Sequence, residues 1–530
     1  MRFFLKALCL ACVIALPVSA GLRYGGSFFT ADLAGKRGLT DPSALCVSPD
    51  NRHVYIAVSG DDALTFFAVD SATGALVKPC TTAVDSSGSY DSYIQNIFID
   101  GRDGLNGLNG ASGIAMSPDG RNVYVAGFDD NAVACFSRDT LHGSLTQIQV
   151  MVNNAGLVRG LSGACDVAVS PDGGRVYAVG ARSSTLAVFT RDLLTGTLTF
   201  ERMAKDDSAS VVGLDFPISL CIAPDGLTIY TASFGDSGVG VFGSPASFLQ
   251  IMQRSLCGDT CPVVGINCVR VSPDNRQVYA VSGDDNAITV FTRDAQGLLS
   301  LVATRPDTMA EDSLVLSPIV RDGAHGVDGL RGASSCALLP DGSGMVVAGT
   351  LDNALVFFSR DSVDGLLRTD SAVVVADGTG GIDGLGGVCA VAVGPDGRTV
   401  YAAAAGDDAV SWFVFSDSTA VETAPGASGE SEMLSIAPNP FNPTTVITLN
   451  NYEFQISNYE LRIYTISGKL VKDLTSDIRY SIFDIHSPRI AAGEAGNSIT
   501  WDASSCPAGV YLVRAVVGDR VAVKKAVLIK

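Results

Sequence analysis

One dipeptide, Pro-Asp, recurs at Pro49, Pro118, Pro171, Pro224, Pro273, Pro340 and Pro395, about fifty to seventy residues apart, and a period of that size marks copies of one supersecondary unit. The copies share their wording. The second reads SPDGRNVYVAGFDDNAVACFSRD from Ser117 to Asp139, and the fifth reads SPDNRQVYAVSGDDNAITVFTRD from Ser272 to Asp294. A catalytic segment occurs once, so seven copies describe a building block. Proline fixes φ and the following glycine or asparagine accepts a positive φ, which makes Pro-Asp-Gly a first turn. Asp-Asp-Asn-Ala supplies a second turn, and the stretch Arg191 to Leu198, RDLLTGTL, shows a third. Three turns divide each unit into four short antiparallel strands. Seven such units closed in a ring predict an all-β chain, a seven-bladed β-propeller of four-stranded blades over residues 21–417; a solenoid would need a shorter, more even period.

The last unit stops at Asp417 before a fourth strand, whereas Leu22 to Leu33, LRYGGSFFTADL, has a strand's composition ahead of the first unit. This N-terminal segment is expected to complete the seventh blade. Composition agrees with the β reading: 47% of residues are apolar and only 7% aromatic, which suits many short valine- and alanine-rich strands. The formal net charge of -19 repels phosphate backbones, so nucleic acid is not an expected partner.

Residues 1–20, MRFFLKALCLACVIALPVSA, have a basic start, an apolar run and small residues at Val18-Ser19-Ala20, which reads as a signal peptide cleaved near Ala20. No later apolar run is long enough for a transmembrane segment. Cys46, Cys165, Cys221, Cys268, Cys336 and Cys389 all precede a repeated proline, on the expected innermost strand, where packing is the default role. Cys257 and Cys261, in LCGDTCP, are close enough to bridge a loop.

Alternating strand direction sorts the turns onto two faces. Loops between blades share a face with the acidic second turns, which carry Asp61, Asp62, Asp129, Asp130, Asp236, Asp284, Asp285, Asp352, Asp407 and Asp408. A glycine stands eleven residues before the proline at Gly38, Gly107, Gly160, Gly213, Gly329 and Gly384. Three loops extend it into triplets: DGRDGLNGLNG from Asp100, DGAHGVDGLRG from Asp322 and DGTGGIDGLGG from Asp377. They introduce the second, sixth and seventh units, one arc of the ring. The candidate ligand or cation-binding residues are therefore Asp100, Asp103, Asn106, Asp129, Asp130, Asp322, Asp377, Asp383, Asp407 and Asp408, and calcium is the cofactor such oxygen groups would hold.

The inventory for catalysis is thin. His53 and His142 fall on turns of the opposite face, and His486 lies beyond the propeller. His325, with Asp328 and Arg331 near it, supplies the only candidate acid-base group on the inter-blade face. There is no Gly-x-Ser-x-Gly elbow and no His-Glu-x-x-His.

The repeated SPDGxxVYVAG and RDxxTGxL wording resembles the seven-bladed lactonase-type propellers, including surface repeats of the YVTN kind. That resemblance implies the fold and raises lactone or sugar-lactone hydrolysis as an alternative to a binding or scaffold role. It transfers no catalytic residue. Residues 418–436, STAVETAPGASGESEMLSI, read as a flexible linker. Residues 437–530 then alternate apolar and polar positions as in a small immunoglobulin-like β-sandwich. Asn439-Pro440-Phe441-Asn442-Pro443, Gly468-Lys469-Leu470, Trp501-Asp502 and Gly509-Val510-Tyr511 resemble the C-terminal sorting domain of type IX secretion substrates. The resemblance implies the secretion machinery as a partner, and a secreted or outer-membrane cell-surface location with an extracellular ligand.

Overall fold

In the second unit the Pro-Asp turn joins Ala111–Met116 to Asn122–Gly127, and the acidic turn leads on to Ala132–Arg138 and Leu145–Val152. These four strands pair in chain order as an antiparallel meander. The turn residues take the predicted backbone: φ is +68° at Gly120 and +64° at Asn275, a region that glycine and asparagine enter most easily. The computed structural model describes residues 21–33, 37–78, 96–208, 210–253, 262–302, 305–306 and 315–416 of the first compact unit, Met1–Asp417, and in the second, Ser418–Lys530, residues 434–437, 444–449, 459–465, 469–474, 497–504, 506–507, 509–517 and 520–528. The signal peptide, the Cys257 and Cys261 pair, His486 and the proline-rich motif at 439–443 lie outside the described residues.

Seven innermost strands, Pro42–Val47, Ala111–Met116, Ala164–Val169, Pro217–Ile222, Ile266–Val271, Ala333–Leu338 and Val388–Val393, each pack on the next, and the last packs on the first. The ring is therefore closed. Its closure uses the N-terminus: Gly21–Phe29 pairs antiparallel with Ala409–Ser416, setting Gly21 opposite Ser416 and Phe29 opposite Ala409. Two glycines make room for this pairing, because a Cβ on Gly25 would sit 2.4 Å from the Trp412 ring.

Second strands such as Asn122–Gly127 and Gln277–Ser282 are buried at every position, since each blade is covered on both sides by its neighbours. Tyr55, Tyr124, Tyr177, Tyr230, Tyr279 and Tyr401 recur there as the largest buried side chains of the ring. The extra length of the first and fifth units falls at the outer edge. In the first blade Leu76–Val77 and Ile97–Ile99 share the fourth-strand place, and in the fifth Leu299–Leu301 and Ile319–Arg321 do.

Two of the six innermost-strand cysteines also bond to the following blade. Cys165 Sγ donates to the Pro217 carbonyl at 3.0 Å and Cys389 Sγ to Pro42 at 2.9 Å, just as Ser43 and Ser112 donate to Ala111 and Ala164 of their following blades. The second compact unit is a sandwich of two antiparallel sheets, one of three strands and one of four. Its core joins Ile447 and Trp501 from one sheet to Leu461, Tyr511 and Val513 from the other. The strand Leu434–Ala437 begins within the stretch read as linker.

Candidate functional site

The repeat's charged residues on the Pro-Asp face form a latch between blades. Arg191 Nε donates to the Tyr124 hydroxyl at 2.8 Å, and its Nη2 donates to Asp119 at 2.9 Å and to Asn122 at 2.6 Å. The Tyr124 hydroxyl in turn donates to the Gly196 carbonyl at 2.8 Å. Arg138 binds Asp50 and Tyr55 in the same way, Arg293 binds Asp225 and Tyr230, and Arg360 binds Asp274 and Tyr279. Aspartate and tyrosine come from one unit and arginine from the next, so this conspicuous part of the motif is architecture. His53 belongs to the latch and not to a turn: it starts the strand His53–Val58, is buried, and lies 2.7 Å from Arg138 Nη2 through Nδ1. Burial and the Arg138 charge push its imidazole down to about 4, which leaves it a neutral acceptor. His142 stays on its turn, paired with Asp139.

Most acids of the opposite face cap loop backbone. Asp130 accepts the Asn109 N–H at 3.1 Å, Asp352 that of Arg331 at 2.9 Å, and Asp407 that of Gly386 at 2.6 Å. A second set closes each glycine loop: Asp100, Asp322 and Asp377 accept the N–H of Leu108, Leu330 and Leu385, all at 3.0 Å. A third set joins blades, with Asp62, Asn131 and Asp408 accepting from Gly110, Gly163 and Asp41. These caps satisfy N–H groups that tight loops would otherwise bury unpaired.

What the caps leave over is informative. In the sixth blade Asp322, Asp328 and Asp352 bring one carboxylate oxygen each within 4.8 Å of one another, and in the seventh Asp377, Asp383 and Asp407 do the same. The same offsets in the second blade give Asp100, Asn106 and Asp130. Burial, partly opposed by the Asn109 N–H and reinforced by Asp100, holds the Asp130 carboxyl above its ordinary range. The third and fourth blades keep the loop cap, through Asn153 and Asp206, but carry Arg159 and Val212 where the glycine-triplet loops carry Asn106, Asp328 and Asp383. The middle residue is thus dispensable for the loop. Asp352, named above as part of the acidic face and not as a ligand candidate, joins the sixth-blade group.

The other candidates disperse. Asp103 is exposed with φ +52° at its loop tip, and Asn106 accepts the Gly107 N–H at 3.0 Å. Asp129 pairs with Arg182 at 2.8 Å, and that guanidinium lies 4.2 Å from the Phe128 ring centroid. His325 is exposed, also with φ +52°. Asp328 accepts the Gly329 N–H at 3.0 Å, and Arg331 stands 3.7 Å from Asp352. Asp328 and Arg331 therefore both approach Asp352, while His325 occupies the loop tip.

Sequence reasoning passed over two residues of the innermost strands. Asp166 and Arg270 are the only charged side chains on the seven innermost strands. Asp166 accepts N–H groups from Val167 at 2.8 Å and Leu220 at 2.9 Å, and burial raises its carboxyl above the ordinary value against the pull of Arg270. Arg270 donates to the Val269 carbonyl at 2.8 Å. Their signal is a departure from the repeat: a charge in ACDVAVSPD and NCVRVSPD where sibling units have small or apolar residues.

Residues 83–212 match the family described as lactonase, 7-bladed beta-propeller, and residues 435–530 match the secretion system C-terminal sorting domain. No curated protein matches. Among solved structures, hydrazine synthase of Kuenenia stuttgartiensis is 16% identical with a TM-score of 0.48, covering 72% of this chain and 97% of its own. The Cps50 (Swd1) beta-propeller domain of Myceliophteria thermophila is 9% identical with a TM-score of 0.47, covering 71% and 98%. The periplasmic gluconolactonase of Pseudomonas aeruginosa is 21% identical with a TM-score of 0.45, covering 63% and 86%. Likenesses at this level carry no functional meaning.

Proposed function

We propose that this is an exported propeller serving as a binding or scaffold module at the cell surface or outside the cell, with divalent cations held on the arc of its sixth, seventh and second blades. The sorting-domain match over residues 435–530 supports delivery by the type IX machinery. The cation reading rests on one observation. Asp328 and Asp383 add a third carboxylate beside two loop-capping ones, although sibling loops hold their shape with arginine or valine at that position. Asp322 and Asp377 each give one oxygen to a backbone N–H and keep another for a ligand, whereas the second oxygen of Asp352 faces Arg331 at 3.7 Å. Clustered hard oxygen donors suit calcium.

A cation that binds only the folded ring must stabilise it, by about 2.7 kcal/mol at a hundredfold excess over Kd. Thermal unfolding of the full chain in calcium and in chelator reads this directly. The midpoint should rise with calcium, and the double variant Asp328→Ala, Asp383→Ala should lose most of that rise while keeping the calcium-free midpoint. An unchanged midpoint in wild type would end the cation reading.

The match of residues 83–212 to the lactonase propellers favours a second reading, hydrolysis of a lactone or sugar lactone, with His325, Asp328 and Arg331 as its candidate groups. A lactone panel separates the two. Turnover lost in His325→Ala and in Asp328→Ala would establish hydrolysis at that loop; turnover equal in wild type and both variants would exclude those residues.

A further inference from the structure

Cys268 and Cys336 stand on neighbouring innermost strands and are both buried in the interface between the fifth and sixth blades. Their sulfurs are 3.9 Å apart, the one sulfur–sulfur contact among the described residues. Arg270 follows Cys268 by two positions, which places both side chains on one side of the strand. A hydrogen bond from Cys336 lowers the Cys268 thiol, and the Arg270 charge adds to it, against burial and Asp166. The same bond and burial raise Cys336. The remaining innermost-strand thiols lack this setting. Cys46 and Cys221 are pushed up to about 12 by burial, and Cys165 and Cys389 donate to carbonyls of the next blade.

We propose that Cys268 and Cys336 form a disulfide that staples the fifth blade to the sixth. The oxidant is an exchanging disulfide, on an oxidoreductase or a small molecule, such as an extracytoplasmic compartment provides. Cys268 as thiolate attacks one sulfur of that disulfide, which expels the other as a thiol and leaves a mixed disulfide. Cys336 then gives up its proton and attacks the Cys268 sulfur, and the second thiol departs. Two cysteine S–H bonds and the S–S bond of the oxidant break, while one protein S–S bond and two thiol S–H bonds form; two electrons and two protons leave with the two thiols. Contact at 3.9 Å must shorten to about 2.05 Å, a movement that rotation of two side chains about χ1 shares. The bridge spans a sequence separation of 68 residues, and closing so long a loop restricts the unfolded chain more than a short one would.

The test refolds the purified, reduced, full-length protein from denaturant in excess oxidised glutathione, which reaches both thiols before the interface between the blades closes, so its outcome does not depend on export. Non-reducing peptide mapping should find the Cys268 and Cys336 peptides joined, two hydrogens lighter than their sum, and the thermal midpoint should rise by several degrees and fall again on reduction. Cys268→Ser and Cys336→Ser should each abolish the joined peptide and the rise, while Cys221→Ser keeps both. Recovery of both thiols as free, alkylated cysteines in the wild-type chain overturns the proposal. So does Cys268 joined to any other cysteine or left as a glutathione adduct. Mapping of the wild type decides the matter even if the serine variants fail to fold.

Discussion

Replacing Arg191 by methionine tests whether the repeat's charged wording is an inter-blade latch. The Arg191 side chain is 1% exposed and its Asp119 partner 35% exposed. Loss of the guanidinium leaves Asn122 Oδ1 and the Gly173 carbonyl without the donors they have now. The Tyr124 hydroxyl keeps Gly196, and Asp119 keeps the Ser117 hydroxyl and the Arg121 N–H. Breaking a buried ion pair from one side costs about 3 to 5 kcal/mol, and the partial exposure of Asp119 places this case near the lower end, about 3 kcal/mol. The junction between the third and fourth blades offers an internal comparison, because Tyr177 meets only Ser244 there, at 3.0 Å. Losing that single neutral hydrogen bond in Ser244→Ala costs about 1 kcal/mol. For a unit of about 400 residues, an unfolding entropy of about 0.8 kcal/mol per degree converts these to about 4 °C and about 1 °C in Tm. Scanning calorimetry at neutral pH measures both, and a double-mutant cycle of Arg191→Met with Tyr124→Phe should return a coupling of about 1 kcal/mol. An Arg191→Met midpoint no lower than that of Ser244→Ala refutes the latch.

Burial opposes ionisation of Asp50, Asp119, Asp225 and Asp274, yet their hydrogen bonds and latch arginines outweigh it and lower all four below the ordinary 3.8. Their stabilisation is therefore complete above that value and disappears as pH falls through the lower, folded-state values; acid unfolding followed by circular dichroism should begin below about pH 4 and become shallower in Arg191→Met. Gly25→Val drives a side chain into Trp412 and should detach the closing strand, so that limited proteolysis releases the N-terminal segment from the variant and not from wild type. Asp377→Ala removes the cap on Leu385 and should lower the calcium-free midpoint, whereas Asp383→Ala should leave it unchanged; equal losses in the two would mean that Asp383 is also structural.

The ring itself was legible because its turns are local. Pro118-Asp119-Gly120 needs only neighbouring residues to bend the chain, and the strand composition of Leu22 to Leu33 was enough to anticipate ring closure, which the pairing with Ala409–Ser416 realises. The latch was not legible, although every member of it was in plain view. Tyr124 and Arg191 are 67 residues apart, and only the packing of one blade on the next brings them together. His53 was misplaced for the same reason: the turn beside it is local, and Arg138, which buries it, belongs to the following unit.

The acidic face shows a sharper limit. Its sign could be counted, but its role depended on loop N–H directions that no side-chain pattern records, and most of its carboxylates proved to be caps. A repeat explains what all its copies share, so consensus positions such as Asp119, Tyr124 and Arg191 are the poorest places to seek a specific activity. Departures from consensus are where a ligand or a reaction can reside, because the fold has been shown by sibling blades to do without them. Asp328 and Asp383 replace the arginine and valine of other loops. Asp166 and Arg270 bring the only charges to the innermost strands, and Cys268 with Cys336 bring the one sulfur contact. All three departures lie at loops or innermost strands, away from the latch.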